Sequence, residues 1–211
     1  MNVLITAGPT REYLDPVRFL SNASSGRMGA ALASAAVAAG HRVTLVVGPV
    51  ETPPPPVDEC VRVTSAREMF DAVAERFDAC DVFVAAAAVA DFRPAEPAAE
   101  KIKKGEGPLT LRLEPAPDIV AAMARRRRPG QVLVGFCLES EDLEARARAK
   151  LATKGLDLIV ANPPAAINAD RQDALLITAD GACDRLTGVT KADLATRVLD
   201  AVTRLVGRTD P

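Results

Sequence analysis

Residues 1–10 read MNVLITAGPT and residues 24–47 read SSGRMGAALASAAVAAGHRVTLVV. A short apolar run, a loop, a small-residue helical stretch and a second apolar run, in that order, open a β-α-β unit. Runs of Val, Leu and Ile without polar alternation belong to strands buried on both faces, which is the condition of a parallel sheet. Outward from this unit, strand-like runs recur at 3–6, 43–47, 60–63, 82–86, 132–136, 158–161 and 175–178. Helical patterns fill the gaps at 28–39, 66–77, 118–127, 141–153 and 191–205, with Ser65, Asp118 and Thr190 as starts. The alternation predicts a doubly wound α/β fold with a mostly parallel, Rossmann-like sheet.

A chain of 211 residues with 48% hydrophobic residues can bury one sizeable core, so one domain over residues 1–211 is expected. Lys and Arg number 26 against 28 Asp and Glu, which leaves no global field for nucleic acid or an anionic membrane. Any anion site is therefore local. Cys60, Cys80, Cys137 and Cys183 form no Cys-x-x-Cys pair and do not cluster with His41, so they read as reduced, mostly buried thiols. The sequence starts on a strand without a basic leader and contains no membrane-length apolar run, which gives a cytoplasmic expectation.

Two stretches resist the strand-helix scheme. The prolines at 53–56 read as a stiff spacer. Residues 93–113 carry EKIKKG at 100–105 and the alternating run LTLRL at 109–113, which predicts a basic lid leading into an edge hairpin. The arginines at 125–128 end a helix, where cations complement the dipole, and read as structural.

Ligands of open α/β sheets bind beyond the carboxyl ends of the strands. The loop after the first strand ends in Ser24-Ser25-Gly26, followed by Gly29, at a helix start. Hydroxyls and free N–H groups there suit a phosphate, and small residues at a capped helix start suit the same pattern. A nicotinamide site would require G-x-G-x-x-G directly after the strand and an acidic residue after the second strand; the sequence has neither. A Tyr-x-x-x-Lys pair is also excluded, because Tyr13 is followed four residues later by Val17. The small residues of the run AAAAVAD at 85–91 allow a planar base to approach the backbone at Ala87 and Ala88, and equally allow tight helix-on-sheet packing. Asp91 stands where a ribose or a magnesium ion would lie. Lys101, Lys103 and Lys104 are either a solvated loop or a lid that neutralises a polyphosphate and excludes water.

Taken together, ITAGPTRE-x-LDPVR-x-x-SN-x-SSG-x-MG, AAVADF, EKIKK and VGF-x-x-E closely resemble bacterial phosphopantothenoylcysteine synthetase, the phosphopantothenate-cysteine ligase of coenzyme A biosynthesis. The resemblance covers nearly the whole chain. It implies that 4'-phosphopantothenate and CTP give an acyl-cytidylate and pyrophosphate, with magnesium, and that L-cysteine then displaces CMP. It further implies that Asn22 holds the acyl-cytidylate, donating to its carbonyl, and that Arg18 lies near the phosphopantothenate. Lys101 is implied as the lid lysine, Asp91 as the aspartate at ribose and metal, Ala87, Ala88 and Phe136 as neighbours of the cytosine, and Lys154 as a group approaching the nucleotide. A homodimer pairing through 109–113 and a flavin-dependent decarboxylase, as partner or fused domain, are implied as well. The family's Lys-Asn is replaced here by Pro115-Ala116. That departure keeps a second reading open, a nucleotide-binding paralogue without ligase activity.

Overall fold

The structure is a computed structural model that describes residues 1–209. β1 (Asn2–Ala7) is followed by a small hairpin of β2 (Arg11–Tyr13) and β3 (Phe19–Ser21), then α1 (Arg27–Ala38), β4 (Arg42–Val47), β5 (Glu59–Arg62), α2 (Ala66–Arg76) and β6 (Val82–Ala85). A second small hairpin, β7 (Phe92–Pro94) and β8 (Leu113–Pro115), precedes α3 (Ile119–Arg126), β9 (Val132–Leu138), α4 (Leu143–Lys154) and β10 (Leu158–Asn162). The chain continues through β11 (Arg171–Thr178), β12 (Cys183–Thr190) and α5 (Lys191–Thr209).

The main sheet is eight-stranded, in the order β12-β11-β10-β9-β6-β1-β4-β5. From β5 to β10 all neighbours are parallel; β11 and β12 add an antiparallel edge. The period-2 alternation of each strand divides the core into two layers. Val3, Ile5 and Ala7 of β1 cluster with Leu32 and Ala36 of α1 and Val198 and Val202 of α5. Leu4 faces the other way, into a cluster with Met69 and Val73 of α2, Met123 of α3 and Leu151 of α4. The expected doubly wound sheet is therefore observed, with helices on both faces.

The expected helix starts are observed too. Ser65 accepts the Glu68 N–H at 3.2 Å, Asp118 accepts the Ala121 N–H at 2.9 Å, and Thr190 exchanges hydrogen bonds with Asp193. The basic end of α3 is structural: Arg126 binds Asp78, and Arg127 binds Asp157.

Three expectations need correction. The run at 109–112 forms no strand; only Leu113 enters β8, which pairs with β7 rather than extending the main sheet. Leu109, Leu111 and Leu113 have no apolar partner layer and remain exposed, so alternation alone does not hold a strand there. Second, Cys60 and Cys183 are exposed, because each lies on an edge strand of the sheet, whereas Cys80 and Cys137 are buried. Burial pushes the Cys80 thiol up to about 12. Third, the prolines at 53–56 are more than a spacer, since Pro53 and Pro54 line a small hollow with Ser25 and Arg27.

Gly29 sets the approach of α1 to the sheet. A Cβ at this position would lie 2.3 Å from Ala7 Cβ and 2.9 Å from Ala7 Cα, so α1 sits against β1 at backbone distance. Gly29→Ala should therefore destabilise by about 1–3 kcal/mol through overpacking, outweighing the gain of about 1 kcal/mol in helix propensity. Gly207 of α5 meets nothing within 4 Å, so Gly207→Ala should give the opposite sign. Urea unfolding of both variants checks the contrast; equal signs would contradict the packing argument.

Asp118 also pairs with Lys154 of α4, tying α3 to α4. Burial raises the Asp118 pKa, but Lys154, the Ala121 N–H and Arg125 lower it more, and the carboxyl ends below its ordinary value. A carboxylate with a depressed folded pKa stabilises fully above the unfolded value of about 3.9, and this contribution is lost as pH falls towards the folded value. Asp118→Asn keeps a competent cap and removes the charge. The variant should lose less stability than the wild type on going from pH 7 to pH 3, measured by urea unfolding; an equal loss would refute the assignment.

Candidate functional site

The chain builds β1, β4 and β5 in one direction, then returns to the other side of β1 to lay down β6, β9 and β10. The switch between β1 and β6 leaves a crevice at their carboxyl ends, the position where open α/β sheets take ligands. Both strands continue beyond the sheet into this crevice and stay joined. Pro9 pairs with Ala88, and the Ala88 N–H donates to the Gly8 carbonyl at 2.9 Å. Thr6 Oγ1 accepts the Ala87 N–H at 3.3 Å, and Thr10 Oγ1 accepts the Ala90 N–H at 3.0 Å. The fully buried Thr10 also offers its carbonyl to the Ser21 hydroxyl at 2.7 Å.

Asn22 closes this floor from the end of β3. Its Nδ2 donates to the carbonyls of Ala88 at 3.3 Å and Val89 at 3.0 Å. Nδ2 is thus directed at the floor carbonyls, which leaves Oδ1 as the acceptor of the exposed Asn22 side chain. Donation from Asn22 to a ligand carbonyl, the expectation from the resemblance, would compete with these two floor contacts.

α1 begins at the same edge. Gly26 is its N-cap at φ 76°, a left-handed conformation, and a Cβ there would stand 2.6 Å from Val50 Cγ1. No side chain caps the helix, although Ser24 Oγ accepts the Gly26 N–H at 3.3 Å. The Ser24-Ser25-Gly26 turn thus leaves first-turn N–H groups of α1 available to an anion. Arg27 is directed elsewhere, to Asp170 at 2.6 Å and the Asn168 carbonyl at 3.1 Å.

The lysine segment between β7 and β8 is tied to the turn of the β2–β3 hairpin. The Ala98 N–H donates to the Leu14 carbonyl at 2.8 Å, and the Ile102 N–H donates to Asp15 Oδ2 at 3.1 Å. Arg18 spans both, pairing with Asp15 and donating to the Ile102 carbonyl at 2.6 Å. Lys101 and Lys103, on either side of Ile102, are exposed, as is Lys104. The Asp15 carboxylate is buried, which raises its pKa, but Arg18 and the N–H groups of Val17, Arg18 and Ile102 lower it more and hold it well below the usual carboxylate range. Arg18, expected beside a substrate, is thus also part of the lid contact.

Asp91 follows the β6 extension with an exposed side chain, and its carbonyl accepts the Ala116 N–H at 2.8 Å. Among the described residues no group of three or more His, Cys, Asp or Glu side chains is placed to hold a metal. A single exposed carboxylate fits magnesium that arrives with a polyphosphate, since that ion keeps waters and takes one or two carboxylates beside phosphate oxygens. Phe136, on β9, is half-buried against the α1/α5 layer. Lys154 is committed to Asp118 and joins none of the crevice contacts. A hollow of about 300 Å³ lies at the opposite edge of the sheet, between Arg127, Arg128, Gln131 and Leu205, away from all these groups.

Sequence reasoning brought out Asn22, Ala88, Gly26 and the lysines but passed over Thr6, Thr10 and Asp15. The two threonines were visible as the ends of Thr6-Ala7-Gly8-Pro9-Thr10, where a polar residue closing an apolar strand signals a side-chain bond to a neighbouring loop. Asp15 preceding a proline is a turn signal, and nothing local reveals its partner 87 residues away.

The family model for the DNA/pantothenate metabolism flavoprotein C-terminal domain matches residues 1–205. The chain is 43% identical over 213 residues to the coenzyme A biosynthesis bifunctional protein CoaBC of Bacillus subtilis, covering 99% of this chain and 52% of that protein. It is also 43% identical over 209 residues to a prokaryotic protein named cysteine/cysteine sulfinic acid decarboxylase, covering 97% of this chain and 58% of that one. It thus spans little more than half the length of these relatives. The crystal structure of the C-terminal domain of a CoaBC protein superposes with a TM-score of 0.85 at 35% identity, covering 98% of this chain and 96% of that one. A Cab2 H337A variant in complex with phosphopantothenate-cysteine shares the fold, with a TM-score of 0.80 at 17% identity, over 100% of this chain and 89% of that one. By the extent of the family match and the identity of its relatives, the chain belongs to the DNA/pantothenate metabolism flavoprotein C-terminal domain family.

Proposed function

We propose that the chain is a phosphopantothenate-cysteine ligase domain that uses CTP. The observation that carries the reading is the stitched floor from Gly8 to Thr10 and from Ala87 to Ala90, topped by Asn22 and flanked by an uncapped helix start and a docked lysine segment. Such a site offers backbone groups for a base, N–H groups and ammonium groups for phosphates, and a fixed amide at the reacting carbon. The naming of the CoaBC relative and the ligand of the Cab2 variant support the substrate assignment.

In the first step a carboxylate oxygen of 4'-phosphopantothenate attacks the α-phosphorus of CTP, the bond to the bridging oxygen breaks, and pyrophosphate leaves. Lys101, with Lys103 and Lys104 nearby in sequence, neutralises the charge that grows on the leaving group, and the closed segment keeps water from the acyl-cytidylate. In the second step the amine of L-cysteine attacks the acyl carbon, the bond to CMP breaks, and the amine gives up a proton. Asn22 Oδ1, as an acceptor, orients an N–H of that amine while Nδ2 holds the floor. Ala87 and Ala88 leave room for the cytosine, with Phe136 as its apolar neighbour, and Asp91 reaches the ribose. Magnesium bound with the triphosphate would supply further charge neutralisation beside Asp91.

The exposed Leu109, Leu111 and Leu113 supply the apolar strip for a homodimer. A flavin-dependent decarboxylase, fused or as a separate partner, would correspond to the part of the CoaBC relatives that this chain does not cover. No described helix is long and apolar enough to cross a membrane, and the cytoplasm is the proposed location.

Purified protein with 4'-phosphopantothenate, magnesium and CTP should release pyrophosphate, and with L-cysteine should form 4'-phosphopantothenoylcysteine. ATP should be a poor substitute. Asn22→Ala should keep the pyrophosphate step and slow amide formation by about 10²-fold, as for loss of one oriented polar group at a reacting centre. Lys101→Ala should slow the pyrophosphate step itself, by about tenfold or more. Nucleotide binding without pyrophosphate release would instead identify the inactive paralogue.

A further inference from the structure

Among the described residues, Asp15 is the one buried carboxylate that touches both the site hairpin and the lysine segment. Its Oδ1 accepts the N–H groups of Val17 at 2.8 Å and Arg18 at 2.9 Å, which fixes the turn between β2 and β3. Its Oδ2 accepts the Ile102 N–H at 3.1 Å and Arg18 Nε–H at 2.9 Å. Arg18 in turn gives one Nη2 hydrogen to the Ile102 carbonyl at 2.6 Å. The peptide groups on both sides of Ile102 are thus gripped, one through its N–H and one through its C=O, between two lysines.

We propose that Asp15 is a positioning residue that latches the lysine segment to the turn of the β2–β3 hairpin, with Arg18, which the resemblance already sets near the phosphopantothenate, as the second arm of the latch. Arg18 has five donors in a planar fork, and the contacts to Asp15 and Ile102 occupy its Nε and Nη2 edge. Its side chain is 41% exposed, and Nη1 meets no protein acceptor among the described residues, so that edge faces outward to a carboxylate or phosphate. The pair Asp15–Arg18 is electrically neutral. Arg18 therefore reads an oxyanion by direction rather than by net charge, and the positive charge at the site comes from the lysines that the latch holds in place. A ligand that fixes Arg18 also fixes the Ile102 carbonyl, so substrate and lid order together. The depressed pKa of Asp15 keeps the latch ionised at neutral pH.

The substrate part of this inference rests on the ligase reading; the latch itself does not. Limited trypsin digestion of the full chain without ligand measures lid opening by the rates of cleavage after Lys103 and Lys104. Asp15→Asn removes the charge and places an amide against existing donors. Ile102→Pro removes the Ile102 N–H, along with the half-buried isoleucine side chain and the freedom of φ, leaves Asp15–Arg18 intact, and blocks cleavage after Lys101, which is why that bond is not scored. Both variants should be cleaved about fivefold faster than wild type, the change expected from losing a hydrogen bond of about 1 kcal/mol. In the pyrophosphate assay both should lower kcat more than they raise KM for CTP, in the direction of Lys101→Ala, because the lysines they release act on charge that grows in the transition state. If Asp15→Asn fails to fold, Ile102→Pro decides. Wild-type cleavage rates in a folded variant would overturn the latch. If the wild type releases no pyrophosphate while the variants still open faster, the ligase reading fails and the latch stands.

Discussion

The joining of two loops beyond the sheet is the constraint on which the rest of the site depends. Parallel strands ordinarily separate after their last ladder bond, yet β1 and β6 stay paired through Pro9 and Ala88. Two threonine hydroxyls make this possible. Thr6 and Thr10 accept the N–H groups of Ala87 and Ala90, which would otherwise be unsatisfied in a half-buried crevice. With those donors paired, the alanine run can remain extended and free of bulky side chains, and Asn22 can rest on its carbonyls. Loss of the pairing would free the floor, the seat of Asn22 and the start of Asp91 at once.

The approach of α1 follows from the same geometry. A helix that is to present its first N–H groups at the crevice must start close to the end of β1, and closeness at that point leaves no space for a Cβ. Gly29 supplies this by lying against Ala7, and Gly26 supplies the left-handed turn that brings the chain in. Gly26 is the N-cap and Gly29 lies in the first turn of α1, so phosphate access and helix-sheet packing are set by the same few residues.

The fold was legible because its determinants are local. The buried strands declare themselves by continuous apolar runs, and Ser65, Asp118 and Thr190 mark helix starts with the side chains that cap them. β12 was not legible: Cys183-Asp184-Arg185-Leu186-Thr187-Gly188 is mostly polar because an edge strand shows much of its surface to solvent, and its pairing with β11 is its chief mark. The hairpin β2–β3 escaped notice for a related reason, since three-residue strands carry too few alternations. Within the site the lysines stood out by type, Asn22 and Arg18 came only with the family resemblance, and Asp15 depends on a contact with a segment more than eighty residues later. Lys154 shows the converse: a lysine of the right type is drawn to Asp118, a partner that the sequence distance conceals.

Pro115-Ala116 bears on whether this site is intact. The resemblance gives the family Lys-Asn here, and the replacement removes two polar side chains. The backbone role of the pair survives the change. Pro115 still occupies the β8 position opposite Phe92, and the Ala116 N–H still holds the Asp91 carbonyl at 2.8 Å. Proline needs no donor at an end of so short a hairpin, and its fixed φ favours the extended chain that β8 requires. The placement of Asp91 therefore does not depend on the side chains that were lost. On this argument the substitution removes two polar side chains and leaves the floor, Asn22 and the Asp91 backbone where they are.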